Sequence, residues 1–96
     1  MIRHIVFFKF KPDATAEQIR DVIAQLRALP EKIDVIRHYE VGQDVLRLAR
    51  SWDAALVGTY DSIEALKVYD EHPAHKQVVA RIREISESIA SVDFEC

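Results

Sequence analysis

Ile2-Arg3-His4-Ile5-Val6-Phe7-Phe8-Lys9-Phe10 is dense in β-branched and aromatic residues and runs into Lys11-Pro12, where a proline without an N–H cannot continue a central ladder. The stretch reads as a strand. Alternation places Ile2, His4, Val6, Phe8 and Phe10 on one face and Ile5 and Phe7 on the other, beside Arg3 and Lys9. Both faces are therefore apolar. One layer of helices covers one face of a sheet, so the second face calls for another sheet or a partner chain. A homodimer packed face to face is the simplest answer.

Outward from that strand, Thr15-Ala-Glu-Gln18 has the spacing of a capping box, and Ile19, Val22, Ile23 and Leu26 follow as the stripe of a core-facing helix. The helix is predicted over about 15–29, stopped by Pro30. Ile33 to Val41 reads as a second strand ended by Gly42, and Trp52 to Tyr60 as a third, with Trp52, Leu56 and Tyr60 on one face and Ala55 and Val57 on the other. Asp61 and Ser62 offer caps for a short helix carrying Ile63, Leu66 and Tyr69, broken at His72-Pro73. Val78, Val79, Ile82, Ile85, Ser86 and Ile89 mark the buried side of a further helix, and Ser88 to Glu95 close the chain as strand four. The order is β-α-β-β-α-β. That is the ferredoxin-like arrangement, an α+β fold with a four-stranded antiparallel sheet and helices on one face.

The 96 residues make one domain, 1–96, with 49% hydrophobic and 30% charged residues, the balance of an ordinary globular chain. The formal net charge of -3 and the absence of a basic cluster argue against binding nucleic acid through its phosphates. An RNA-binding domain shares the element order, yet Trp52-Asp-Ala-Ala-Leu-Val-Gly-Thr-Tyr60 lacks its strand-three pattern. With only Gly42 and Gly58 there is no glycine-rich phosphate loop, and a serine nucleophile elbow is missing. The one cysteine, Cys96, excludes an intrachain disulfide, and the apolar run Ile5–Phe8 is too short for a membrane span. A cytoplasmic protein without membrane or nucleic-acid partners is expected.

Three features of the chain are similar to one family: the N-terminal stretch Ile2–Phe10, Gly42 after strand two, and Tyr69-Asp-Glu-His-Pro-Ala-His75 after strand three. The chain resembles the stress-responsive A/B barrel (Dabb) proteins from about Met1 to Phe94, and Tyr-x-x-His-Pro-x-His is the most specific element. The resemblance implies a ferredoxin-like protomer and a dimer whose two sheets close a barrel. The family includes stress-induced proteins, members of unknown role and a plant polyketide cyclase. In that cyclase, the resemblance implies, His75 corresponds to the base, Tyr69 to its partner and His4 to a strand-one pocket histidine. A further pocket histidine of the cyclase falls at Ala54, which has no proton to exchange.

Two functional classes follow. In the first, a small apolar pocket bordered by Phe8, Phe10 and Leu66 holds a small organic molecule, and His75, Tyr69 and His4 supply cofactor-independent acid–base chemistry of the lyase or cyclase kind on an enolisable substrate. In the second the chain is a non-catalytic stress-response or structural dimer module, with the same histidines as satisfied core residues, the same apolar stripe as packing, and His72-Pro73 as a simple helix break. His72-x-x-His75 has a spacing that could share a metal, but Pro73 distorts the helical register between them and no cysteine can assist. No metal and no other cofactor is assigned.

Overall fold

The computed structural model describes residues 1–96 as β1 (Ile2–Phe10), α1 (Ala16–Arg27), α2 (Leu29–Lys32), β2 (His38–Gln43), β3 (Ala54–Tyr60), α3 (Ile63–Glu71), α4 (Pro73–Ile85) and β4 (Ser86–Glu95). The strands form one antiparallel sheet in the order β2-β3-β1-β4, with β1 central as its double-sided apolar character requires. The helices pack on one face. The fold is α+β and ferredoxin-like, as the strand and helix periods imply.

Helix α1 opens on the capping box: the Thr15 hydroxyl accepts from the Gln18 N–H, and the Gln18 side chain accepts from the Thr15 N–H. Its Val22, Ile23 and Leu26 join Val6, Phe8, Phe10, Leu56, Val78, Ile82 and Ile85 in one core between helices and sheet. Pro30 does not end the chain's helical path as the sequence suggests. It occupies the first turn of α2, where its missing N–H would have had no partner.

Strand two is the main departure. It begins at His38 instead of Ile33 and runs through Gly42 to Gln43. Ile33 caps α2, donating its N–H to the Leu29 carbonyl, and is 2% exposed, while Val35 and Ile36 pack against the core from a turn. These β-branched residues join the core with no strand opposite them. At the other end, α4 stops at Ile85 and β4 starts at Ser86, so Ile89 lies in the strand, 44% exposed, and not on a buried helix face.

Trp52 also differs from its predicted place. It precedes β3, where the alternation has not begun, and its ring lies 6.3 Å from that of Phe7, on the face away from the helices. Ile5 pairs with Val57 and Val92, and Phe7 with Ala55 and Ala90, so these side chains share that uncovered face with Phe94. Val92 and Phe94 are 56% and 43% exposed. A shallow groove of about 730 Å³ crosses the face beside Phe7, Trp52, Ala55 and Val57.

A face of this kind has an expected consequence in solution. Static light scattering should return the mass of two chains, and Phe7→Asp, which sets a charge at the centre of the apolar face, should return the mass of one. A single-chain mass for the wild type that does not rise with concentration contradicts the expectation.

Candidate functional site

The corner between α3 and α4 builds the site. His72 leaves the helical conformation (φ -63°, ψ 135°), donates its N–H to the Tyr69 carbonyl and accepts the Ala74 N–H on Nδ1, acting as C-cap of α3 and N-cap of α4 at once. Pro73 then starts α4 at the position where a proline costs no hydrogen bond. The turn brings Tyr69, from the last turn of α3, against His75 in the first turn of α4. Their ring centroids are 4.3 Å apart at 47°.

His75 Nδ1 lies 3.0 Å from the Asp70 carbonyl oxygen. A carbonyl only accepts, so Nδ1 carries the proton and Nε2 of the neutral ring holds a free lone pair. Burial pushes the His75 pKa below its ordinary value, with the Asp70 carbonyl and carboxylate opposing. The ring is therefore neutral at physiological pH.

The sheet supplies the other groups. His4 on β1 stands opposite Gly58 on β3, and Gly58 stands opposite Tyr39 on β2, so three strands present one row beneath the corner. Gly58 leaves the middle of the row open, and the Tyr60 ring folds back into that space. A Cβ on Gly58 would meet the Tyr60 hydroxyl at 2.8 Å. The Tyr39 and Tyr69 hydroxyls are hydrogen-bonded at 2.8 Å, whereas the Tyr60 hydroxyl is buried with no partner. Tyr60 lies 5.0 Å from Tyr69 and 6.4 Å from His4, centroid to centroid.

Burial drives all three phenol pKa values far above the usual range, assisted by the neighbouring phenols. They are permanent neutral hydrogen-bond donors. On the opposite side His4 donates Nδ1–H to the Asp93 carboxylate, its cross-strand neighbour on β4, and its ring stands 6.2 Å from Tyr69. The site thus combines a neutral imidazole with a free Nε2, a carboxylate-held imidazole and three neutral phenols, a set suited to taking a proton from carbon and holding the oxygen of the resulting enolate.

Of the residues marked from sequence, His75, Tyr69 and His4 converge. Phe8, Phe10 and Leu66 do not join them. Phe8 and Phe10 stack on each other in the core with centroids 6.5 Å apart, 4% and 8% exposed, and Leu66 is half-buried against the same core. The cavity that borders His75, of about 400 Å³, is lined instead by Asp70, His75, Lys76, Val79, Ala80 and Arg83. Tyr39, Tyr60 and Asp93 are the members that sequence reading missed. Their signal was the register: Tyr39 shares a face with Val41, and Gly58 two residues before Tyr60 marks space over that face. No group of three or more His, Cys, Asp or Glu side chains converges as a metal set, and His72 is committed to its cap. No helix is long and apolar enough to cross a membrane.

Comparison with known proteins bears on this geometry. The Stress responsive A/B Barrel Domain family, Dabb, matches residues 2–96. A dimeric ferredoxin-like protein of unknown function from Bacteroides fragilis is 35% identical, with TM-score 0.85 over 99% of this chain and 95% of that one. Another from Thermobifida fusca is 30% identical, with TM-score 0.91 over 99% and 90%. A hydroxynitrile lyase from Passiflora edulis superposes with TM-score 0.86 over 97% and 90%, at 21% identity, a likeness of fold alone.

The two hydroxyl environments make opposite demands on stability. Tyr39→Phe strands the Tyr69 hydroxyl in the core and should cost about 1–3 kcal/mol, while Tyr60→Phe removes a hydroxyl that has no partner and should cost nothing measurable. Denaturant unfolding of both variants checks the contrast; equal losses contradict it.

Proposed function

Since the chain belongs to the stress responsive A/B barrel domain family, we propose that it works as a homodimer whose helix-side site binds a small, largely apolar organic molecule bearing a carbonyl group and moves a proton on it. His75 is the base, Tyr69 and Tyr60 are the donors that meet the carbonyl oxygen, and His4, held by Asp93, is the second proton-transfer group. The observation that carries the reading is the tautomer of His75: Nδ1 donates its proton in a hydrogen bond to the Asp70 carbonyl and leaves Nε2 free in a ring that burial keeps neutral. The unpartnered Tyr60 hydroxyl adds to it, because a buried donor without an acceptor is the arrangement a ligand oxygen would complete. A hydroxynitrile lyase of the same fold is in keeping with this reading.

A second reading, a non-catalytic stress-response or structural module, is favoured by one specific observation. Tyr69 and Tyr60 are completely buried against each other, so the chain's own side chains fill the space beneath the helix corner. Under that reading the phenol pair is a core hydrogen bond, and the cavity beside His75 is only a surface hollow.

A thermal-shift screen of aliphatic and aryl ketones and aldehydes separates the two. Under the first reading some members stabilise the wild type and not His75→Ala, and the α-hydrogen of a binder exchanges into deuterium oxide only when His75 is present. His75→Ala itself should cost no more than about 1 kcal/mol, because the ring is half-buried and its one hydrogen bond is exposed. A fall of several degrees in melting temperature, with no ligand whose effect depends on His75, speaks for the module.

Titration offers an independent check. A histidine whose folded pKa lies below its unfolded value stabilises nothing extra at high pH and costs stability once the unfolded chain begins to take the proton, below about pH 6.5. The stability lost by the wild type between about pH 7 and pH 5 should therefore be larger than that lost by His75→Gln, measured by denaturant unfolding at each pH. Identical pH slopes contradict a buried, neutral His75.

A further inference from the structure

The cavity beside His75 has a wall that the proton chemistry does not use. Lys76, Val79, Ala80 and Arg83 stand at i, i+3, i+4 and i+7 along α4, so one stripe of the helix forms that wall. Its two ends are cations and its middle is small and apolar. Neither Lys76 nor Arg83 forms an ion pair; those of the chain use His4, Arg37, His38 and Arg47. Asp70 brings the one carboxylate of the lining. With His75 neutral the lining carries one net positive charge, in a chain whose formal net charge is -3.

We propose that Lys76 and Arg83 hold a carboxylate, so that the molecule bound at His75 is a keto acid and not a neutral ketone. The inference rests on the reading of His75 as a base in a ligand site. Long cationic side chains that reach from the two ends over a small apolar middle suit a ligand whose carboxylate meets solvent between them and whose carbon chain lies along Val79 and Ala80. His75 then faces the carbonyl end. Such an arrangement separates the two oxygen functions by charge: the half-buried His75 favours the uncharged carbonyl, and the exposed cations favour the anion.

The test uses 6-oxoheptanoate and its methyl ester, which share the ketone and differ in one charge. Each is titrated into the full chain at low salt, and binding is followed by the NMR signal of the His75 ring, identified by its loss in His75→Gln. The acid should bind about 5- to 20-fold more tightly than the ester, the gain from two partly exposed cations, and high salt should shrink the difference. Lys76→Gln/Arg83→Gln should bring the affinity for the acid down to that for the ester, with each single substitution removing part of the preference. Both residues are exposed, and an unchanged melting temperature verifies the fold of the variants. Equal affinity for acid and ester in the wild type, or a preference that survives the double substitution, overturns this inference alone. If neither probe moves the His75 signal, the ligand site itself falls, and the carboxylate subsite with it.

Discussion

The site depends on the corner at His72-Pro73, where one residue caps two helices. A continuous helix from Ile63 to Ile85 would place Tyr69 and His75 six residues apart, about 9 Å along the axis and about 120° from each other around it, so that their rings could not meet. The break removes that constraint. Because His72 satisfies the end of α3 with its N–H and the start of α4 with its ring, the corner leaves few backbone groups open and can be sharp. The contact of the Tyr69 and His75 rings, the Asp70 carbonyl on Nδ1 and the free Nε2 are all consequences of this geometry. Proline at the first position of α4 makes the corner inexpensive, and its fixed φ prepares the new helix direction.

Elements whose signal is local were legible in the sequence. The two apolar faces of β1, the capping box of α1 and the break after α3 are all written within a few residues, and each stands where its residues predict. Strand two was not legible in the same way. Ile33, Val35 and Ile36 have the side chains of a strand, but a turn can deliver β-branched residues to a core as well as a strand can. Trp52 failed for a related reason: alternation predicts a face only inside a ladder, and the residue lies two positions before the ladder begins.

The candidate site was legible in its helical half and obscure in its sheet half. Tyr69 and His75 sit in one contiguous motif, so their spacing alone relates them. His4, Gly58 and Tyr39 are related only by register across β1, β3 and β2, and the consequence of a glycine in the middle of that row, a tyrosine lying over it, requires knowing what stands on each side. Asp93 is similar. As one acidic residue near the end of the chain it has no distinguishing neighbour in sequence, and only the β1–β4 pairing sets it against His4.

That pairing also ties the two faces of the sheet together. On β4, Asp93 turns toward the helix side, while Val92 and Phe94 turn to the uncovered apolar face, as a period of two requires. A slip of one residue would put Val92 or Phe94 opposite His4 and the Asp93 carboxylate among Ile5, Phe7 and Val57, stripping the imidazole of its acceptor and charging the apolar face in a single step. The register is therefore held from both sides: by the histidine–carboxylate pair above the sheet and by apolar burial below it. The strand that completes the site is for this reason the same strand whose other face most needs a partner.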